Sequence, residues 1–323
     1  MSKLVSPSIL ASVFLVLSLT TPAHALINRA WVSGHGTDAA GCGAPTSPCR
    51  SFQYVLNNIV APGGEIDVLN PAGYGAMTIA FAVTIRNDGV GVAGVQQATT
   101  GQNAVTINAG PNDNVSLVGL TIEGLGVAQN GIQFNSGSGL LLANSEIFGF
   151  TGIGLNFTPN NGNNNFVGLE VSGGGIYQNG GRGVVVKPFG GALALANLKD
   201  QCDINEGVTA DGWVDPVPSG EEAVHVNISD CTLNAAGTAV QASGPSTGGY
   251  STTIDLDHAV VSNSTTGLSA DGAHTVITAN ASTFFGITTV TSATNGGFIS
   301  SFGNNAVYFY GSIGAGFSTQ PLN

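Results

Sequence analysis

A short apolar strand, a polar turn, a second short strand, an Asn or Gly turn and a third strand follow one another again and again from about Val115 onward. Copies begin at Val115, Leu140, Phe166, Leu193, Val224, Thr253 and Thr275, so successive starts differ by 25, 26, 27, 31, 29 and 22 residues. Periods in the range of about 20–50 residues belong to repeat architectures, and strands this short with no helical periodicity between them select a parallel β-helix. In such a coil each strand pairs with its equivalents one turn before and after, ~4.8 Å away, so inward residues stack like on like. The fold class is therefore all-β, a right-handed parallel β-helix or solenoid, its hand following the general preference of parallel crossovers. Columns of Ile, Val and Leu fill its interior, and Ser, Thr and Asn face water. Gly and Asn serve the turns, where backbone with positive φ is needed.

This architecture explains an unusual composition. Of 323 residues 42% are apolar, only 8% are charged and 48 are Gly. The apolar share supports a packed core, which excludes disorder. Seven Lys and Arg against 19 Asp and Glu, a formal charge of −12, cannot build the positive stripe that phosphate backbones need, so nucleic acid is excluded as a partner. Anionic membranes are disfavoured for the same reason.

Lys3, the apolar run Ile9 to Leu17 and the small residues of Ala23-His24-Ala25 have the layout of a secretory signal, residues 1–25, cleaved after Ala25. The run is too short to span a bilayer, so a secreted or periplasmic, monomeric protein without membrane insertion is expected. Four cysteines in an oxidising compartment allow three pairings. Cys42 and Cys49 flank a short Pro-containing loop, which leaves Cys202 and Cys231. Aligning the copies that start at Leu193 and Val224 sets Cys202-Asp203-Ile204-Asn205 opposite Cys231-Thr232-Leu233-Asn234, so a bridge between adjacent coils is expected. Residues 26–76 read as an N-terminal cap with the disulfide loop and a short amphipathic helix: Phe52, Val55, Leu56 and Ile59 share a face, and Gly63-Gly64 ends it. Residues 77–323 are the β-helix with a C-terminal capping turn, for which Val307-Tyr308-Phe309-Tyr310 and Phe317 supply either a plug or a last winding.

The run Ser51-Phe52-Gln53 to Ile59, then Glu65-Ile66-Asp67-Val68, Pro71-Ala72-Gly73-Tyr74, Met77-Thr78-Ile79 and Val83-Thr84-Ile85 resembles the capping helix and first coils of pectin-lyase-like right-handed β-helix proteins. With Arg29-Ala30-Trp31-Val32-Ser33-Gly34 before it, it also looks like a group of bacterial secreted members to which no reaction is attached. The resemblance implies the fold and a leaning toward carbohydrate, and not an active site. Asp255-Leu256-Asp257-His258 is similar to a pectate-lyase strand motif, but no Arg-x-Pro-x-x-Arg follows and no Arg or Lys exists after Lys199. Gly34-His35-Gly36 looks like the Gly-His-Gly of polygalacturonase-like hydrolases, yet it precedes the helix and its partner motifs are missing.

Charge concentrates between residues 170 and 230, where nine of the 19 acids lie with Arg182, Lys187, Lys199 and His225. The insertion from Thr209 to Glu222 reads as a protruding loop whose Trp213, with Asp211 and Asp215, would bind ligand, the indole stacking on a sugar ring. Asp203, Glu206, Arg182 and Lys199 are the candidate catalytic groups, since facing carboxylates hydrolyse glycosides. No cofactor is required, and Ca²⁺ is the ion that such carboxylates would suit. The reading is an exported, non-catalytic β-helix that binds polysaccharide or another extended surface ligand. A polysaccharide hydrolase or lyase with an acidic cleft at 182–230, and a structural adhesin module, are the alternatives.

Overall fold

A computed structural model describes residues 26–161, 166–212, 222–244, 251–308, 310–314 and 317–319. The signal segment, Trp213 and Asp215 lie outside them. The chain is a parallel β-solenoid of three sheets, one of 12 strands and two of 10, and within each sheet neighbours are one winding apart in sequence. The first wall opens with Ile27–Val32 and Val60–Val68, the second with Met77–Ile79 and the third with Ala72–Gly73. Residues expected to form a separate cap therefore already contribute strands to the walls.

Registered stacking makes the core. On the first wall Ile66, Ile85, Leu117, Leu142, Val171, Leu198, Ile228 and Leu256 lie one above another, all buried. The third wall carries Val95, Ile122, Ile147, Ile176, Ile204, Leu233, Val261 and Phe284 in the same way. Where the second wall supplies bulk, Phe134 and Phe157 stack with ring centroids 4.5 Å apart, and toward the C-terminus that column shrinks to Ala210, Ala242 and Ala270. The corner between the first and third walls is a stack of left-handed residues, including Gly119, Asn144, Gly173, Asp230 and His258 at φ 70°, 49°, 66°, 54° and 51°. Glycine and Asn tolerate that conformation best, which accounts for their abundance.

Both cysteine pairs are joined. Cys42 and Cys49 have Cα atoms 5.1 Å apart, and Cys202 and Cys231 tie adjacent windings with Cα atoms 4.7 Å apart. Asp203 pairs with Thr232, Ile204 with Leu233 and Asn205 with Asn234, as the repeat requires. On the first wall, however, Val224 pairs with Ala194 and not Leu193. The offset drops by one residue at the corner between, where Asp200 and Gln201 are both left-handed and the next winding uses Asp230 alone.

At the N-terminal end all three sheet edges find partners. Helix α1, Phe52–Asn58, begins at Ser51, whose hydroxyl accepts from the Tyr54 N–H, and it buries Phe52, Val55 and Leu56. Its Gln53 amide accepts from the Thr78 N–H at 2.6 Å and donates to the Thr78 carbonyl at 3.3 Å, so a side chain stands in for a strand beside the second wall. Arg50 donates to the Gly73 carbonyl of the third wall at 2.8 Å. The Cys42–Cys49 loop covers the first wall: the Trp31 N–H donates to the Gly43 carbonyl, and the Trp31 carbonyl accepts from Cys49. Gly63-Gly64 does not stop α1, which ends at Asn58; both glycines lie inside the strand Val60–Val68. A Cβ on Gly64 would come within 2.8 Å of the Asn28 carbonyl oxygen, so that glycine admits close strand packing. The other end is a last winding and not a plug. Ala306–Tyr308, Ser312–Gly314 and Phe317–Thr319 continue the three walls, with Tyr308 and Tyr310 exposed.

Candidate functional site

Within a strand, alternation sends every second side chain outward, so the register also sets columns on the outer face of the first wall. One column runs Asn114, Gly139, Gly168, Leu195, His225 and a second runs Ser116, Leu141, Glu170, Asn197, Asn227. Two glycines in consecutive windings leave the first column without side chains, and a groove of about 430 Å³ opens there. Gly139 and Gly168 form its floor, Asn114 and Leu195 close its ends, and Leu141, Glu170 and Asn197 line one side. A Cβ built on Gly168 meets no atom within 4 Å, so neither packing nor positive φ demands glycine at this place. Phe166, on the same strand face as Gly168, is 60% exposed, and Leu195 is 39% exposed.

Charge beside the groove is paired. The Lys199 ammonium lies 3.1 Å from Glu170 and 4.0 Å from Asp200, all three partly exposed. Its hydrogen bond to Glu170, then the two carboxylate charges, hold it above the usual lysine value. Farther along, Asn227 donates to the Asn197 side chain, and His225 Nε2 lies 3.1 Å from Asp255 Oδ2.

Two other hollows lie at corners. One of about 320 Å³, between the third and second walls, brings Arg182 and Glu206 together with Asn179. Arg182 donates to the carbonyls of Glu206 and Thr238 and to the Gln241 side chain, strapping successive windings, and burial lowers its pKa. Burial raises the Glu206 carboxyl, against hydrogen bonds from Asn179 and the Gln178 N–H. The second hollow, about 450 Å³, runs over the Cys202–Cys231 bridge between Asp200, Asp230 and His258. There the Asp257 hydrogen bond raises the His258 imidazole, which in turn lowers Asp257.

Of the residues singled out in the sequence, the structure thus joins only Arg182 and Glu206, with Asp203 exposed on the neighbouring wall and close enough to add its charge to Glu206. Lys199 belongs to the first wall, and Asp211 ends a second-wall strand 2.7 Å from Lys187. Among the described residues the 182–230 region is spread over three walls and is not one acidic cleft. The expected insertion is also shorter, because Val208–Asp211 is a strand and the next begins at Glu222. Nor do three His, Cys, Asp or Glu side chains gather as a metal site among the described residues, so no step is routed through Ca²⁺. His35 sits in the N-terminal loop, its N–H bonded to the Ser33 hydroxyl.

Sequence reasoning missed the groove. Gly139 and Gly168 read as turn glycines, and the only signal was their spacing, 29 residues, one winding. No family model, curated protein or solved structure matches this chain.

Proposed function

We propose that the protein is a non-catalytic β-helix that holds a polysaccharide along the outer face of the first wall. The carrying observation is the glycine-floored groove beside exposed Phe166 and Leu195, with Glu170 and Asn197 facing it. Apolar ring faces and a few placed hydrogen-bonding groups are what a pyranose recognises. A ligand lying along the solenoid axis meets a new winding every ~4.8 Å, a step close to the length of one sugar ring in an extended chain. Export through residues 1–25, a right-handed winding and kinship with pectin-lyase-like proteins belong to the same reading. Two disulfides fit an oxidising location, and among the described residues no helix is long and apolar enough to cross a membrane.

Glycan-array binding followed by titration calorimetry tests it. Phe166→Ala and Gly168→Val are expected to weaken the bound glycan at least about tenfold without lowering the melting temperature. Glycan binding by the parent that neither substitution alters would overturn the assignment to this groove. Release of reducing sugar, abolished by Glu206→Gln, would instead favour the hydrolase, whose foothold is the raised Glu206 carboxyl near Asp203.

A further inference from the structure

Seven Lys and Arg are present, and Lys3 lies outside the described residues. The other six are all engaged. Arg29 is paired with Glu65 and Asp67, Arg86 with Asp88, Lys187 with Asp211 and Lys199 with Glu170. Arg50 is held by the Gly73 carbonyl and Arg182 by three oxygens of later windings. No described cation is left to grip a carboxylate or sulfate, and the whole chain carries −12. A polyuronate approaching this surface meets repulsion with no compensating partner.

The groove's own charged wall is Glu170. Its partner Lys199 stands outside the groove lining, and both side chains are 40–45% exposed. An ion pair this open to water is weak, so a second ammonium can replace the first at little cost. We propose that the groove selects glycans built of 2-amino-2-deoxy sugars with a free amine. The ligand ammonium takes Glu170 while its ring lies over Gly168 beside Phe166. Lys199, displaced, remains near Asp200, already 4.0 Å away. This rests on the polysaccharide reading above and adds the charge class of the ligand. It also sets Lys199 in an unusual role, as a competitor of the ligand rather than a contact.

The test compares three probes by calorimetry on the intact disulfide-bonded protein: a chitosan oligosaccharide, its fully N-acetylated counterpart and an oligogalacturonate of equal length. At a pH where the amine is protonated, the free-amine oligomer is expected to bind about tenfold tighter than the acetylated one, and the uronate not at all. Glu170→Gln should bring the amine oligomer down to the level of the acetylated one. Lys199→Ala should tighten it several-fold, an outcome that a merely structural Lys199 would not give. Rising salt should weaken the amine oligomer alone. Equal binding of the amine and acetylated forms, or preference for the uronate, overturns the amine assignment and leaves the polysaccharide reading standing. Binding of none of the three, while other glycans bind on the array, also overturns only the amine assignment. Failure of every glycan removes both.

Discussion

Glu206 shows how a single side chain records its surroundings. It sits at a corner in left-handed backbone, φ 63°, with one carboxyl oxygen receiving the Gln178 N–H and the group as a whole raised by burial. A raised carboxyl means that the folded chain keeps a proton which the unfolded chain has released. Stability then falls as pH climbs from the ordinary carboxylate value through the raised one, and stays level above it. Glu206→Gln removes the ionisation while keeping an oxygen for Gln178. The variant should melt higher than the parent at pH 7, with the gap closing below about pH 4, where both carboxyl states are protonated. Scanning calorimetry across that range reads it. A variant melting lower at pH 7 would mean that the hydrogen bonds from Asn179 and Gln178 outweigh burial. Nothing in the sequence around Glu206 foretold the shift, because Arg182 and Asn179 reach it from the preceding winding, more than 20 residues away in the chain.

Elements were more legible than residues, because strand alternation and helix spacing are local. The face Phe52, Val55, Leu56 marks α1, and the thiol stacking of Cys202 on Cys231 followed from counting along the repeat. What counting misread was punctuation. Gly63-Gly64 resembles a helix stop, but tertiary packing uses it inside a strand, where Gly64 lies against the Asn28 carbonyl. The contribution of α1 to the end of the tube resides largely in one amide. Gln53 serves both the N–H and the carbonyl of Thr78 on an edge strand, whose free groups would otherwise invite another chain. Gln53→Ala is expected to cost about 1 kcal/mol in a denaturant titration, the net worth of exchanging protein for water hydrogen bonds. It should also raise self-association at high concentration, visible by light scattering. Unchanged scattering and stability would show that water serves Thr78 as well as Gln53 does.

Across the whole molecule, the lesson of the charges is geometric. Residues 170–230 make about two circuits of the tube, so acids adjacent in sequence face different directions, and density of charge along the chain predicts no density in space. Side chains one winding apart are the true neighbours, which is why the two glycines of the groove matter and the acidic run does not. The same stacking makes the two ends unequal. A solenoid opens from its ends, each winding held by its neighbours, and at the N-terminal end the Cys42–Cys49 loop, Gln53 and Arg50 occupy the three edges. The last described winding has an inner neighbour on each wall and exposed Tyr308 and Ile313, with no such cover among the described residues. Amide exchange followed by mass spectrometry should therefore be fastest in 306–314, while strand Ile27–Val32, although also outermost, exchanges as slowly as interior strands. Cys42→Ser with Cys49→Ser should accelerate exchange in Ile27–Val32 and leave 306–314 unchanged, because opening at one end of a stack is uncoupled from the other. Equal protection at the two ends of the parent would mean that side-chain cover adds nothing to what the neighbouring winding supplies.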